Sequence, residues 1–337
     1  MKGNKKILLL GTGGTIAAAI SQSGLSPALQ TEELLRYCPA IRELCRVDSR
    51  QILSLDSTDM CAAHWLLIAT AIRDSYNDYD GFVITHGTDT MAYTAAALSY
   101  LIQDSQKPVV LTGAQKPIEA DTTDSKANLY DSFIIACDEN ARGVCVVFNG
   151  DVILGTRARK VCSKSFRAFS SINYPVVAQV HDGRIIRYIF NEKARDVRFY
   201  DALNGNVALL KLYPGLRPEV LKFMLNAHDA LVLECFGVGG LPAFADAQTH
   251  FKAIMDAVNA GKTIVVTTQV QNEGSDLSLY SVGDSLRHHS RIMEAHDMTT
   301  EAALCKLMWI LPQTDDADRI RTLFYQPVAM DLLTVKS

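Results

Sequence analysis

The sequence predicts an α/β fold with two domains, and three observations support this prediction. The chain has 337 residues, of which 48% are hydrophobic, enough for two domains of about 150 residues each. Short runs rich in Val, Ile and Leu alternate with segments of helical length and composition. Most of these runs are continuously apolar, which is typical of parallel strands covered on both faces. We therefore expect a larger N-terminal domain with a mostly parallel sheet flanked by helices, and a smaller α/β C-terminal domain.

The apolar runs and the segments between them predict the elements in chain order. The predicted strands are Lys6–Leu10, Gln51–Leu55, Gly81–Thr85, Pro108–Thr112, Gly143–Phe148, Val207–Leu212, Ala230–Leu233 and Thr263–Thr267. The predicted helices are Cys61–Tyr76, Thr90–Gln103, Asp124–Glu139, Pro218–Ala227, Ala245–Ala260, Thr299–Leu311 and Ala317–Tyr325. The polar segment Phe190–Gly205 contains six charged residues and interrupts this pattern. We place the domains at residues 1–190 and 207–337, with a linker at 191–206.

Composition and charge exclude several classes of function. The formal net charge of −4 provides no global positive field, so we expect no nucleic-acid partner. No apolar stretch approaches the roughly 18 residues that span a membrane. The apolar run Ile7–Leu10 is too short for a signal peptide, and we expect a cytoplasmic protein. The eight cysteines form no CxxC pair and should be reduced and mostly buried. The histidines show no metal-ligand spacing, so we expect neither a metal nor a cofactor.

The predicted strands of the first half end in loops rich in small hydroxyl, acidic and glycine residues. The loops are Gly11–Thr15, Asp56–Asp59, His86–Thr90 and Thr112–Ala114. Parallel strands bring their carboxyl ends to one edge of a sheet, where ligands bind. Helix capping is an alternative explanation for these hydroxyl and carboxylate residues. The first loop matches neither the dinucleotide fingerprint nor the phosphate loop, but its bare N–H groups suit a nucleophile beside an oxyanion hole.

Two of these loops resemble the signature motifs of the bacterial-type L-asparaginases. They are the segments Thr12–Ala17 (TGGTIA) and His86–Met91 (HGTDTM). Three further segments are similar to the family's substrate-carboxylate loop, its catalytic-lysine segment and its C-terminal glycine loop: Asp56–Met60, Leu154–Lys160 with Phe166–Phe169, and Phe236–Gly240. The resemblance covers nearly the whole chain and is closest to the cytoplasmic type I members. It implies hydrolysis of L-asparagine to L-aspartate and ammonia.

The resemblance also implies a role for each catalytic residue. Thr12 would be the nucleophile that attacks the amide carbon and forms an acyl-enzyme. Thr88, Asp89 and Lys160 would form a second cluster, in which Lys160 accepts a proton that Thr88 relays. Without the resemblance, Lys160 would be read as part of a solvated basic loop or an anion patch, because four other basic residues lie close to it in sequence. We interpret His86 as a structural residue.

Substrate recognition follows from the chemistry of asparagine and from the same resemblance. Asp89 would pair with the α-ammonium group, and the Ser57 hydroxyl with nearby N–H groups would hold the α-carboxylate. Thr58 would assist, and the backbone carbonyl of Ala114 would accept a hydrogen bond from the substrate amide. One methylene separates asparagine from glutamine and is worth about 1–3 kcal/mol, which leaves room for modest glutaminase activity.

The resemblance further implies a homodimer or homotetramer in which a neighbour's C-terminal domain lies near the active site. Leu25 stands where many members carry a lid tyrosine, and Gly240 where members often carry asparagine. The segment Asn272–Tyr280 would offer an acidic group to a neighbour's substrate, or it is a solvent loop.

Two alternative functions remain. The amidase subunit of an archaeal-type glutamyl-tRNA amidotransferase shares the core, but it would carry a further domain before the first strand, which here begins at residue 6. A non-catalytic asparagine sensor would bind through Ser57 and Asp89. Such a sensor would have no use for Thr12, Thr88 and Lys160 together.

Overall fold

A computed structural model describes residues 5–21, 24–27, 29–190, 196–242, 248–279 and 281–333. The chain divides into two compact units, Met1–Asp201 and Ala202–Ser337. Each unit contains a hydrophobic core of its own.

The N-terminal unit contains the larger sheet and several short strands outside it. Its strands are β1 Lys6–Gly13, β2 Ala18–Ser21, β3 Gly24–Pro27, β4 Arg46–Leu55, β5 Gly81–Thr85, β6 Ile102–Gln103, β7 Pro108–Thr112, β8 Gly143–Phe148, β9 Asp151–Leu154, β10 Ala158–Lys160, β11 Phe169–Ser171, β12 Ala178–His181, β13 Arg184–Arg187 and β14 Arg198–Phe199. Its α-helices are α1 Thr31–Tyr37, α2 Ile41–Leu44, α3 Ala62–Ser75, α4 Met91–Leu101 and α5 Ser125–Ala136. Two short 3-10 turns cover Thr15–Ala17 and Ser57–Asp59.

Eight of these strands form one sheet in the order β13-β12-β9-β8-β7-β5-β1-β4. Five neighbouring strands, β8, β7, β5, β1 and β4, pair in parallel, which confirms the predicted mostly parallel sheet. Strands β9, β12 and β13 extend it in antiparallel fashion and are absent from the predicted set. The turn from β8 into β9 is Asn149–Gly150, with φ angles of 51° and 80°. An Asn-Gly pair is the standard sequence signal for a tight hairpin, so strand β9 could have been predicted from it.

Burial explains which strands the apolar pattern detected. Every residue of β5 and β7 is buried, as expected for strands covered on both faces. Strand β4 lies at the edge of the sheet and begins at Arg46, five residues before the predicted start at Gln51. Its first half is partly exposed and polar, so it lacks the continuous apolar run that marks a central strand.

The C-terminal unit is smaller and also α/β, as predicted. Strands β15 Val207–Lys211, β16 Ala230–Cys235, β17 Thr263–Thr268 and β18 Ile292–Glu294 form a parallel sheet in that order. The helices are α6 Pro218–Ala227, α7 Gln248–Asn259, α8 Ser281–Arg287, α9 Thr300–Ile310 and α10 Ala317–Tyr325. The predicted start of α7, residues 245–247, lies outside the described residues. Within the described ranges, no helix has the length and apolar character needed to cross a bilayer.

Candidate active site

Three loops meet at the carboxyl edge of the larger sheet because glycines allow their backbones to touch. A Cβ atom on Gly14, whose φ is 81°, would lie 2.4 Å from the backbone nitrogen of Gly87. A Cβ atom on Gly87 would lie 2.6 Å from the Oγ atom of Ser57. Any larger residue would force these loops apart. The glycines therefore bring the loops after β1, β4 and β5 into one site.

A small polar pocket opens between these loops. It has an empty volume of about 340 Å³, counted with the solvent at its mouth. The hydroxyl-bearing residues Ser57 and Thr88 are buried, whereas the Asp89 side chain is 60% exposed. The pocket is lined by Gly14, Thr15, Ala18, Asp56, Ser57, Gly87, Thr88 and Asp89. Its size and its polar groups suit an amino-acid-sized ligand.

Lys160 reaches the loop after β5 from a separate hairpin. It is the last residue of β10, opposite Phe169 of β11. Its Nζ atom donates hydrogen bonds to Thr88 Oγ1 at 2.7 Å and to Asp89 Oδ1 at 2.6 Å. The lysine side chain is 17% exposed, so bulk water reaches little of it. The three residues predicted to form a cluster are therefore in contact.

Thr12 lies at the end of β1 and is buried. Its Oγ1 donates a hydrogen bond of 2.8 Å to the backbone oxygen of Thr85, the last residue of β5. This hydroxyl is engaged with a backbone carbonyl rather than with a side-chain base. Thr15, the second threonine of the same loop, lines the pocket, whereas Thr12 does not.

The predicted substrate-binding residues are divided between the pocket and its surroundings. Ser57 and Asp89 line the pocket, but Thr58 and Ala114 do not. The Thr58 backbone N–H and hydroxyl both donate to the Asp56 carboxylate at 2.9 Å. These bonds hold Thr58 in the turn that begins the loop, where its side chain is exposed. Ala114 lies in the loop after β7 and is buried.

Gln115 is a site residue that sequence reasoning missed. Its Oε1 accepts a hydrogen bond of 3.2 Å from the Thr88 hydroxyl, and its Nε2 donates to the Ser165 backbone oxygen at 3.1 Å. The buried carboxylate of Asp124 accepts from the Gln115 backbone N–H and from Asn128 Nδ2. Gln115 follows the Thr112–Ala114 loop directly, so extending that loop by one residue would have included it.

His86 has the structural role expected for it. Its ring is fully buried, and burial lowers its pKa to about 4, so it is neutral at neutral pH. Nδ1 donates to the Gly87 backbone oxygen at 2.7 Å, which leaves Nε2 to accept from the Thr94 hydroxyl at 2.9 Å. Trp65 Nε1 donates to the same hydroxyl. These bonds orient Gly87 at the centre of the site.

No three His, Cys, Asp or Glu side chains converge to hold a metal ion in the part of the chain that the structure describes. The side chain of Leu25, at the predicted lid position, lies outside that part, as does Tyr280 at the end of the predicted donor segment. Gly240 is described, and it forms an isolated bridge with Phe236.

Comparison with known proteins identifies the family. Residues 6–192 match the model "Asparaginase, N-terminal", and residues 206–324 match "Glutaminase/Asparaginase C-terminal domain". An L-asparaginase of Thermococcus kodakarensis is 39% identical over 97% of this chain and 99% of its own length. One subunit of the glutamyl-tRNA(Gln) amidotransferase of Pyrococcus horikoshii is 33% identical, over 94% of this chain and 74% of that protein.

Solved structures agree with this assignment. The thermostable L-asparaginase from Thermococcus kodakarensis superposes with a TM-score of 0.92 at 38% identity, over 98% of this chain and all of that one. L-asparaginase I from Vibrio cholerae gives 0.87 at 30% identity, over 98% of this chain and 100% of the other. A probable cytoplasmic L-asparaginase from Campylobacter jejuni gives 0.82 at 28% identity, over 95% and 99%. The chain therefore belongs to the asparaginase family of amidohydrolases.

Proposed function

We propose that this protein hydrolyses L-asparagine to L-aspartate and ammonia through a threonine nucleophile. The observation that carries the proposal is the contact of Lys160 with both Thr88 and Asp89 beside a small polar pocket. This arrangement combines a hydroxyl, a proton acceptor and an acidic anchor. The L-asparaginase relative, which this chain covers almost completely, supports the choice of substrate.

Substrate binding rests on the two charged ends of the amino acid. The exposed Asp89 carboxylate offers a partner to the α-ammonium group, and the buried Ser57 hydroxyl offers one to the α-carboxylate. Hydrogen bonds to charged groups contribute about 1.5–3 kcal/mol each. Together they would select an amino acid over a simple amide.

Catalysis begins when the Oγ1 atom of Thr12 bonds to the amide carbon and its proton leaves the hydroxyl. The C–N bond then breaks, and the nitrogen departs as ammonia with the proton that the Thr12 hydroxyl released. Water then hydrolyses the acyl ester. Thr12 must first give up its bond to the Thr85 backbone oxygen. The adjacent glycine-rich loop supplies backbone N–H groups that can stabilise the developing oxyanion.

Proton transfer depends on the orientation of the Thr88 hydroxyl. In the structure this hydroxyl donates to Gln115 and accepts from Lys160. Relaying a proton to Lys160 requires the hydroxyl to turn away from Gln115 and Lys160 to be uncharged. Substrate binding assists this step, because the α-ammonium group competes with Lys160 for Asp89.

Ammonia release from L-asparagine tests the proposal directly. We expect turnover by the unmodified chain and a loss of at least about 10²-fold in Thr12→Ala and in Thr88→Ala. Thr122→Ala is a matched control, because this threonine is exposed and does not line the pocket. Undiminished turnover in both active-site variants would contradict the assignment of these threonines.

The same measurement distinguishes the alternatives. A sensor would bind asparagine without releasing ammonia. An amidotransferase subunit would require its partner subunit for productive amide transfer, whereas the proposed enzyme is active on free asparagine alone. The higher identity to the L-asparaginase relative, 39% against 33% for the amidotransferase subunit, favours the independent enzyme.

We further propose a cytoplasmic homodimer or homotetramer in which a neighbour's C-terminal domain completes the active site. The relative from Campylobacter jejuni, named as probable cytoplasmic, supports the location. Light scattering after size-exclusion chromatography tests the assembly. A monomeric and fully active chain would contradict it.

A further inference from the structure

The side-chain amide of Gln115 lies between the Thr88 hydroxyl and the loop that follows Lys160, residues 161–168. Its Oε1 atom accepts a hydrogen bond of 3.2 Å from Thr88 Oγ1, and its Nε2 atom donates one of 3.1 Å to the Ser165 backbone oxygen. The loop connects strand β10, which ends at Lys160, to strand β11. One amide therefore joins the Thr88 hydroxyl to the segment that carries the lysine.

The partners of this amide fix the way it points. The backbone oxygens of Ser165 and Cys162, the latter at 3.4 Å, can only accept hydrogen bonds, so the NH₂ end of Gln115 must face them. The amide oxygen then faces Thr88, whose hydroxyl must donate to it. With its proton turned to Gln115, Thr88 presents a lone pair to Lys160, whose Nζ donates at 2.7 Å. The direction of each hydrogen bond from the lysine to the loop is therefore set.

The backbone of Gln115 is held in turn by the buried carboxylate of Asp124. That carboxylate accepts from the Gln115 N–H at 3.0 and 3.1 Å, from the Lys116 N–H at 3.2 Å and from Asn128 Nδ2 at 3.1 Å. The Lys116 Nζ atom lies 5.7 Å from the centre of the Phe166 ring, within the range of a cation–π contact. Gln115 thus reaches across to the loop from a fixed position.

The loop itself is mostly exposed. Its exposed residues are Val161, Ser163, Lys164, Ser165 and Arg167. At its base the Val161 N–H donates to the Ala168 backbone oxygen at 2.7 Å, which closes the hairpin. Segments exposed to solvent have low local stability unless hydrogen bonds hold them. The bonds from Gln115 therefore limit the movement of the loop and, with it, that of the adjoining Lys160.

We propose that Gln115 is a positioning residue that holds the Thr88 hydroxyl in line with Lys160 and fastens the loop after Lys160 to the same amide. This role rests on the proposed function, because alignment matters only if Thr88 and Lys160 act in catalysis. Gln115 does not line the pocket, so it acts through these two residues and not on the substrate. With Thr88 Oγ1 held 2.7 Å from Nζ, the relay needs a rotation of the O–H bond and no movement of the oxygen.

Steady-state kinetics of ammonia release from L-asparagine test this role. Gln115→Met keeps the length of the side chain and removes both ends of the amide. We expect kcat to fall by about 10–10²-fold, because the hydroxyl and the lysine are no longer held in line, and KM to stay within about twofold. Gln115→Asn keeps an amide on a shorter arm that cannot reach both partners, and it should lose kcat in the same way. An unchanged kcat, or a raised KM with kcat unchanged, would overturn the proposal.

Two further variants show whether Gln115 acts through Thr88. In the Thr88→Ala background, Gln115→Met should lower kcat no further, because the relay that it aligns is already broken. A further loss of more than about twofold would overturn the proposal. Gln179→Met is the matched control. Gln179 is also half-buried and donates to Asp151 at 2.7 Å, but it belongs to β12 and does not line the pocket. This variant should keep both kcat and KM.

Hydrogen–deuterium exchange, measured by mass spectrometry, tests the fastening of the loop without any turnover. In Gln115→Met we expect the peptides that cover residues 161–168 to exchange about 2–10-fold faster, and in Gln179→Met we expect no change there. Unchanged exchange in Gln115→Met would overturn the fastening of the loop. An unmodified chain that releases no ammonia, but whose loop exchanges faster in Gln115→Met, would contradict the proposed function and support the fastening.

Discussion

The contact between Gly87 and Ser57 allows a quantitative test of how the site is assembled. In Gly87→Ala, the new Cβ atom would lie 2.6 Å from the Cβ and Oγ atoms of Ser57. Ordinary van der Waals contact needs about 3.5–4.0 Å, so the two loops must separate by roughly 1 Å. A displacement of that size at a reacting site costs about 10²-fold in rate, equivalent to about 2.7 kcal/mol of transition-state stabilisation.

The assay is kcat/KM for ammonia release from L-asparagine, with urea unfolding measured in parallel. We expect kcat/KM to fall by about 10²-fold, while overpacking lowers the free energy of unfolding by about 1–3 kcal/mol. Gly143→Ala is the matched control. Gly143 has a φ of 68° but open space around its Cβ position, so this variant is strained without moving the loops. It should lose stability and retain activity.

A Gly87→Ala enzyme with kcat/KM within about twofold of the unmodified value would refute this reasoning. It would mean that Ser57 is displaced without consequence, and therefore that Ser57 does not hold the substrate. An equal loss of activity in Gly143→Ala would also refute it, because the effect would then arise from general destabilisation.

Three further predictions concern single side chains. Lys160→Met removes the hydrogen bonds from Lys160 to Thr88 and Asp89. We expect kcat to fall by about 10²–10⁴-fold, while circular dichroism shows an intact fold. A near-normal kcat would exclude the proton-acceptor role of Lys160. Because the folded-state pKa of His86 is about 4, below the unfolded value of about 6.5, its contribution to stability is present above pH 6.5 and is lost as the pH falls towards 4. When urea unfolding is measured over this pH range, the free energy of unfolding of the unmodified chain should fall by up to about 3 kcal/mol, and that of His86→Gln should change less. Parallel pH profiles for the two proteins would contradict this expectation. Lys306→Met removes the ion-pair partner that lies 2.7 Å from the fully buried Asp331, and it should lower the free energy of unfolding by about 3–5 kcal/mol. An unchanged urea midpoint would show that the pair is dispensable.

The sequence pattern was most informative where burial is complete. Strands β5 and β7 have every residue buried, and both were predicted with the bounds that the structure has. Strands β12 and β13 are short, partly exposed and antiparallel, so they carry no continuous apolar run. Local hydrophobicity reports the environment of a residue but not the partner of a strand.

The site shows the same limit. Ser57, Thr88 and Asp89 could be located because each follows a predicted strand, and parallel strands bring their ends together. Lys160 belongs to a hairpin more than seventy residues beyond Thr88, and only the family resemblance pointed to it. No local pattern indicates that Gln115 accepts a hydrogen bond from the Thr88 hydroxyl.

Local periodicity and the chemistry of neighbouring residues were enough to predict the α/β class, the parallel core and the loops in which the functional groups lie. Which atoms face each other became evident only in the folded chain. It directs the Thr12 hydroxyl to the Thr85 carbonyl and brings Lys160 to Thr88 and Asp89. These contacts link residues distant in the chain, and their geometry is set by how the packed elements meet rather than by any short stretch of sequence.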